Sequence, residues 1–283
     1  MKSIFLYGLV LLSQTCFTQV KFHQIPAWTF TISEFPSSEF PISKMHKTTY
    51  NLKDFSISEQ ITFKEYKIYL VDMRKDSGQA FYKRQLPDSN MCLKEAYKKY
   101  INSKEFDNYP VLGISWESAL NYCKWKTLKE NKDSLLFYYR LPHQSEWFIA
   151  NDYLTKQKIK NDFSKDYADW TLEAFDESAY DFEHDMNHEY EYFALPNEAN
   201  VLKRKRIMGD SYKFQSNDAL QDGYGYSFEG YAHVAFRLVK EAVTPQIKAQ
   251  KPTWEKQYIE ALKTSVKIPR PHNILQYWGF YLK

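Results

Sequence analysis

From Phe55 the chain alternates apolar and polar positions through FSISEQIT, residues 55–62, the period of a half-buried strand. The period then lengthens. In TFKEYKIYLVDM, Phe63, Tyr66, Leu70 and Met73 recur on one face, and Thr62 with Glu65 makes the Thr-x-x-Glu pair of a capping box, so a helix is expected to open at Phe63. A second helix is expected in SWESALNYCKWKT, with Ser115 as N-cap and Trp116, Ala119, Leu120 and Cys123 at helical spacing. A third starts in RLPHQSEWFIA after Pro142, with Glu146 early and Trp147 and Ala150 facing inward. Between and after these helices the pattern is weak. Residues 74–108 are charged and irregular, 172–200 are acidic and rich in Tyr, Phe and His, and the stretch to Leu238 reads as short strands and turns.

Both ends differ from this middle. Residues 19–52 are polar, contain Pro26, Pro36 and Pro41, and lack a helical period; they read as an extended leader or edge strands. After Lys240 a Pro-containing linker leads into an amphipathic helix from Trp254 to Val266, carrying Tyr258, Ile259 and Leu262 and stopped by Pro269 and Pro271. The expected organisation is a signal peptide over 1–18, a leader over 19–52, one domain over 53–240, and a linker with helix over 241–283.

The first residues, MKSIFLYGLVLLSQTCFTQ, place Lys2 before an apolar run from Ile4 to Leu12, with Cys16-Phe17-Thr18 as a small-x-small cleavage site before Gln19. Such a run is too short to span a bilayer, which takes about 20 residues. Export is expected, to the periplasm or the cell surface, with no transmembrane segment in the mature chain. Lipidation at Cys16 is the alternative to simple cleavage. If Cys16 leaves, Cys92 and Cys123 remain; in an oxidising compartment they form one disulfide, or they are two buried thiols.

Composition narrows the classes. Net charge is +3, too small to point to nucleic acid. The basic run Lys203-Arg204-Lys205-Arg206 reads as a solvated loop. With 23 Tyr, 20 Phe and 7 Trp, rings are numerous enough to serve both as core and as contact surface.

Six blocks carry a resemblance: FSISEQITFKEYKIYL, YPVLGISWESALNYCKW, YRLPHQSEWFIA, YADWT, RIMGDSY and HVAFRLV. In this order, over about residues 53–240, they resemble the formylglycine-generating enzyme and sulfatase-modifying-factor family. The resemblance implies an α+β, C-type-lectin-like fold with much irregular backbone. It implies that Trp116, Trp125, Trp147 and Trp170 are core anchors and that Arg237 is a buried arginine, which needs carboxylate or carbonyl partners.

Catalytic members of that family follow a Gly-Gly-Ser-Tyr/Trp block with two cysteines flanking a short loop, which bind copper(I) and oxidise a substrate cysteine. Thiolates suit both tasks. Here the block reads GDSYKFQSNDA. Gly209, Ser211 and Tyr212 match and Asp210 replaces the second glycine. Phe214 and Ala219 stand where the cysteines would be, and neither can ligate metal or exchange a disulfide. Calcium in the family lies near a Gly-Asn-x-Trp-Glu-Trp block. The corresponding KDYADW keeps Trp170 and offers Asp166 and Asp169 as oxygen ligands, or forms an acidic turn. Otherwise no cofactor is implied.

Outside the resemblance, His184 and His188 in FEHDMNHEYEYF stand at i, i+4 among acidic residues; surface histidines in an acidic loop are the plainer reading. No phosphate loop, Gly-x-Ser-x-Gly elbow or zincin motif occurs. The glycine-rich stretch 206–239 instead suggests a groove in which Asp210, Tyr212, Tyr224 and Tyr226 bind a peptide or glycan, with Gly223 and Gly225 letting the backbone turn sharply. The expected function is therefore a binding or assembly module of the cell envelope, a role that degenerate members of the family play in bacterial gliding and secretion machinery. Its partner would be an envelope protein, or a glycan. The alternative is an oxidase with a relocated cysteine or metal site.

Overall fold

The computed structural model describes residues 20–34, 46–131, 136–161, 163, 166–175, 204–211 and 223–243. In chain order the elements are β1 (Phe22–Ile25), β2 (Trp28–Glu34), β3 (His46–Leu52), β4 (Phe55–Ser58), α1 (Phe63–Asp76), α2 (Gln79–Gln85), a single 3-10 turn (Ser89–Met91), α3 (Lys94–Asn102), α4 (Trp116–Glu130), β5 (Phe137–Arg140), α5 (Gln144–Lys156), β6 (Ala168–Ala174), β7 (Arg204–Met208), β8 (Gly223–Tyr226), β9 (Val234–Ala235) and β10 (Val239–Ala242). Among the described residues the strands form two four-stranded sheets, ordered β1-β4-β10-β5 and β8-β7-β6-β9, and a separate β2-β3 ribbon. This is the expected α+β arrangement.

The helices begin where their capping residues stand. The Thr62 backbone N–H donates to Glu65 Oε2 at 3.0 Å and the Glu65 N–H donates to Thr62 Oγ1 at 3.3 Å, closing the capping box of α1. Ser115 Oγ accepts the Ser118 N–H at 3.2 Å to start α4. At α5 two carboxylates share the work: Glu146 accepts the His143 N–H at 2.8 Å, and Glu173, reaching across from β6, accepts the Gln144 N–H at 2.8 Å. Glu146 also receives both terminal nitrogens of Arg140, at 2.6 and 2.7 Å, so RLPHQSEW encodes a helix start tied to a strand end.

Tryptophans fill the core and each buried indole N–H is satisfied. Trp116 donates to Thr171 O at 2.7 Å, Trp170 to Ile114 O at 2.9 Å and Trp147 to Asp169 Oδ2 at 2.8 Å. Trp125 differs from expectation. It is only half-buried, at the seam of α1 and α4, and donates to Asp72 at 2.8 Å.

Three expectations are corrected. The domain does not start at residue 53: of the two readings of residues 19–52 the edge strands hold, supplying β1, paired with β4 from Phe22↔Ser58 to Ile25↔Phe55, and the whole β2-β3 ribbon. Nor does it stop at 240, because β10 runs to Ala242 and Val243 packs on the core. The basic run is not a solvated loop. Arg204, Lys205 and Arg206 open β7, an inner strand, where Lys205 and Arg206 are buried and Lys205 Nζ lies 4.0 Å from the centre of the Trp116 ring.

Candidate functional site

Strand β7 ends in a turn that glycine permits. Gly209 has φ +94°, a conformation that L side chains rarely adopt. Asp210 follows, half-buried, then Ser211, buried. Strand β8 lies alongside β7 in the register Ile207↔Gly223, Arg206↔Tyr224, Lys205↔Gly225 and Arg204↔Tyr226. Alternation sends Gly225 toward the core, where a Cβ would sit 2.4 Å from Trp170 and 2.6 Å from Tyr231. Gly223 and Gly225 are therefore strand residues; at Gly225 glycine serves close packing, not the sharp turn expected from sequence.

Tyr224 and Tyr226 take the other face and head a row of rings. Phe175 and Tyr224 are 5.0 Å apart, Tyr224 and Tyr226 6.1 Å, and Tyr226 and Phe228 5.8 Å, centre to centre. The Arg204 guanidinium lies 4.3 Å above Tyr224. Tyr224 is 40% and Phe228 45% exposed, and their place in one contiguous row is what sets them apart from singly exposed apolar residues. Hydrogen bonds brace the turn, two of them to the start of α4. The Glu117 N–H donates to Ser227 O at 3.1 Å, Ser227 Oγ donates to Glu117 at 3.2 Å, and the Tyr231 hydroxyl accepts the Tyr226 N–H at 2.9 Å while donating to Glu229 at 2.7 Å.

At its Phe228 end the row meets a cleft of about 430 Å³ whose walls include Lys83, Arg84, Asp88 and Tyr97. Two glycines lie in its wall: a Cβ on Gly230 would lie 1.8 Å from Gly113 O, so the two backbones touch because Gly230 has no side chain, while a Cβ on Gly113 would meet Met91 at 2.2 Å. The Tyr97 hydroxyl donates to Pro87 O at 2.9 Å, and burial and the Asp88 charge push its pKa up, which keeps it a neutral phenol. The surface thus combines flat apolar faces, hydroxyls and the three cations Lys83, Arg84 and Arg204.

Tyr224 and Tyr226, two of the residues read from sequence as ligand-binding, lie in this row, and Asp210 lies just past the neighbouring strand. Tyr212, Phe214 and Ala219, the 183–191 string with His184 and His188, and Cys16 lie outside the described residues. Asp166 is exposed, but Asp169 is in the core, where its two oxygens accept from Gln60, Trp147 and Arg237 at 3.0, 2.8 and 2.8 Å. There Asp169 is the counter-ion of Arg237. Among the described residues no group of three His, Cys, Asp or Glu is placed to hold a metal. Cys92 and Cys123 are both free, so of the two alternatives the thiols stand rather than the disulfide, with Cys92 half-buried; Cys123 is sealed in α4 and burial pushes its thiol well up, away from the reactive thiolate. Sequence reasoning missed Phe228, although YGYSF carries it at the same period as the two tyrosines. It also missed Phe175, Arg204 and the cleft, which only the tertiary fold brings there.

Residues 24–195 match the family described as the sulfatase-modifying factor enzyme 1-like domain, more than half of the chain. The chain belongs to that family. Among solved structures CarF shares the fold: it is 13% identical, over 80% of this chain and 99% of its own, with a TM-score of 0.50. Also similar are PvdO from Pseudomonas aeruginosa, 13% identical over 78% and 94% with a TM-score of 0.47, and Treponema denticola variable protein 1, 12% identical over 77% and 94% with a TM-score of 0.46. No curated protein sequence matches. Among the described residues no helix is long and apolar enough to cross a membrane.

Proposed function

We propose that this family member is an exported binding or assembly module of the cell envelope that lacks formylglycine-generating chemistry. The observation that carries the reading is the row Tyr224–Tyr226–Phe228, two exposed rings on either side of a half-buried one, held on a braced strand and turn beside a cleft. Tyrosine and phenylalanine bury large flat faces on binding at small entropic cost, the character of hot-spot residues. Phe214 and Ala219 at the positions of the family's thiols, and Cys123 locked in the core, support the loss of oxidase chemistry. The signal-like N-terminus supports export.

The ligand is an extended envelope peptide or a glycan chain, either of which stacks along such a row. The test is binding to solubilised envelope protein and to a glycan array, with wild type beside Tyr224→Ala and Phe228→Ala at matched folded fraction. Each variant is expected to lose about 2 kcal/mol of binding, near 30-fold. Equal binding by all three proteins contradicts the assignment of the row.

A further inference from the structure

The β2-β3 ribbon pairs with no other strand among the described residues. Its register sets Trp28 opposite Leu52, Phe30 opposite Tyr50 and Ile32 opposite Thr48; between these pairs Thr29 faces Asn51, Thr31 faces Thr49 and Ser33 faces Lys47. Successive residues take opposite faces. By register all the large apolar residues of the ribbon therefore fall on one face, with Glu34 and His46 at the end of that face, and the other face carries hydroxyl and amide residues and one lysine. At its base the apolar face joins the body, since Leu52 packs against the cluster of Ile25, Ile57 and Trp147. Beside Leu52, Trp28 is left 43% exposed. A two-stranded ribbon alone is marginal in water, and packing against a helix is one way to stabilise it.

Sheet topology brings one segment to this face. Strands β1 and β10 flank β4 and both run antiparallel to it. The end of β1 at Ile25, the start of β4 at Phe55 and the end of β10 at Ala242 thus lie at one end of the sheet. The ribbon rises from that end through Pro26-Ala27 and returns through Lys53-Asp54. The chain leaves β10 from the same end, about 5 Å from β4 and about 10 Å from β1, given the spacing of paired strands.

The sequence beyond β10 has the matching pattern. Residues 244–253 can span up to about 33 Å. Residues 254–266, WEKQYIEALKTSV, repeat Trp254, Tyr258, Leu262 and Val266 at i, i+4, with Ile259 and Ala261 widening the stripe and Glu255, Lys256, Glu260 and Lys263 off it. As a helix they extend about 20 Å, against about 24 Å for the seven-residue strands of the ribbon. We infer that residues 254–266 form a helix laid in cis along the Trp28–Leu52 face of the β2-β3 ribbon, so that the C-terminal segment and the leader make one clasp at that end of the sheet.

The test is amide hydrogen exchange read by mass spectrometry on the full chain. In wild type, amides of 28–34, 46–52 and 254–266 exchange slowly. The variant Ile259→Asp/Leu262→Asp releases the ribbon, whose amides exchange at least about tenfold faster, while β4 and β10 keep their protection and report an intact body. Trp28→Ser gives the reciprocal result, faster exchange in 254–266. The inference is overturned if 254–266 exchange like a free peptide in wild type, or if each variant leaves the other segment unchanged. It is equally overturned if protection of the ribbon rises with protein concentration together with a dimer in light scattering, which would make a second copy the occupant.

Discussion

Arg237 Nε donates to Asp169 Oδ2 at 2.8 Å, with both side chains sealed from water. The bond spans the two sheets: Asp169 is in β6, and Arg237 stands just before β10 and donates also to Ser58 O, at the end of β4, at 3.0 Å. Phe163 lies 3.7 Å beneath the guanidinium, and Trp147 and Gln60 donate to the same carboxylate. Removing one partner leaves an uncompensated buried charge, which costs about 3–5 kcal/mol. Asp169→Ala and Arg237→Ala are each expected to lose that much in urea unfolding, and Asp169→Ala/Arg237→Ala less than the sum. Strictly additive losses would mean that the two charges do not depend on each other.

His143 supplies a pH dependence. Burial alone would lower its pKa, but the hydrogen bond and charge of Glu173, 3.0 Å away, outweigh it and raise the value from 6.5 to about 9. A folded-state pKa above the unfolded one contributes stability that is complete below about pH 6.5 and lost as pH rises through about 9. The side chain is 33% exposed, so solvent screening shrinks the effect. The urea midpoint should fall between these pH values in wild type, and the fall should flatten in His143→Asn. An equal fall in both proteins would place its origin elsewhere.

The glycines of the site order themselves by what a methyl group would meet. Gly223→Ala finds only Ile207, at 3.7 Å, and should change stability by no more than about 0.5 kcal/mol. Gly225→Ala must displace the Trp170 and Tyr231 rings and should cost about 1–3 kcal/mol. Gly230→Ala meets backbone at 1.8 Å and should be the worst of the three. Thermal melts of the series check the order; a tolerated Gly230→Ala would refute the touching backbones in the wall of the cleft.

Export predicts a mature chain beginning at Gln19, read from the intact mass of protein recovered from its native compartment. A lipidated Cys16 would replace simple cleavage with an anchor, and a cytoplasmic chain that retains Met1 would contradict export.

Much of the scaffold is legible in the sequence because it is encoded locally. Thr62 with Glu65, Ser115 with Ser118, and Glu146 below His143 are contacts within one helical turn, and their spacing announces them. Arg237 is legible by resemblance, and its need for a carboxylate by physics, but which carboxylate is not: Asp169 is 68 residues away. The same holds for β7, whose burial of Lys205 and Arg206 against aromatic rings runs against what charge alone suggests. Strand β1, FHQI, is too short and mixed for a pattern to stand out, and exists because β4 pairs with it. In the ribbon WTFTISE and HKTTYNL do alternate, but the nearby prolines mask the pattern. At the site, Tyr224 and Tyr226 can be found from sequence, whereas the cleft is built from separated stretches that only folding brings together.

The central claim is binding without oxidase chemistry. It is tested most directly by incubating the copper-loaded full chain with a Cys-x-Pro-x-Arg peptide under oxygen and reading the peptide mass. An unchanged cysteine is predicted, because Phe214 and Ala219 offer no thiolate and Cys123 is sealed in the core. Conversion to the aldehyde, abolished by Cys92→Ser or Cys123→Ser, would contradict it and establish a relocated oxidase site.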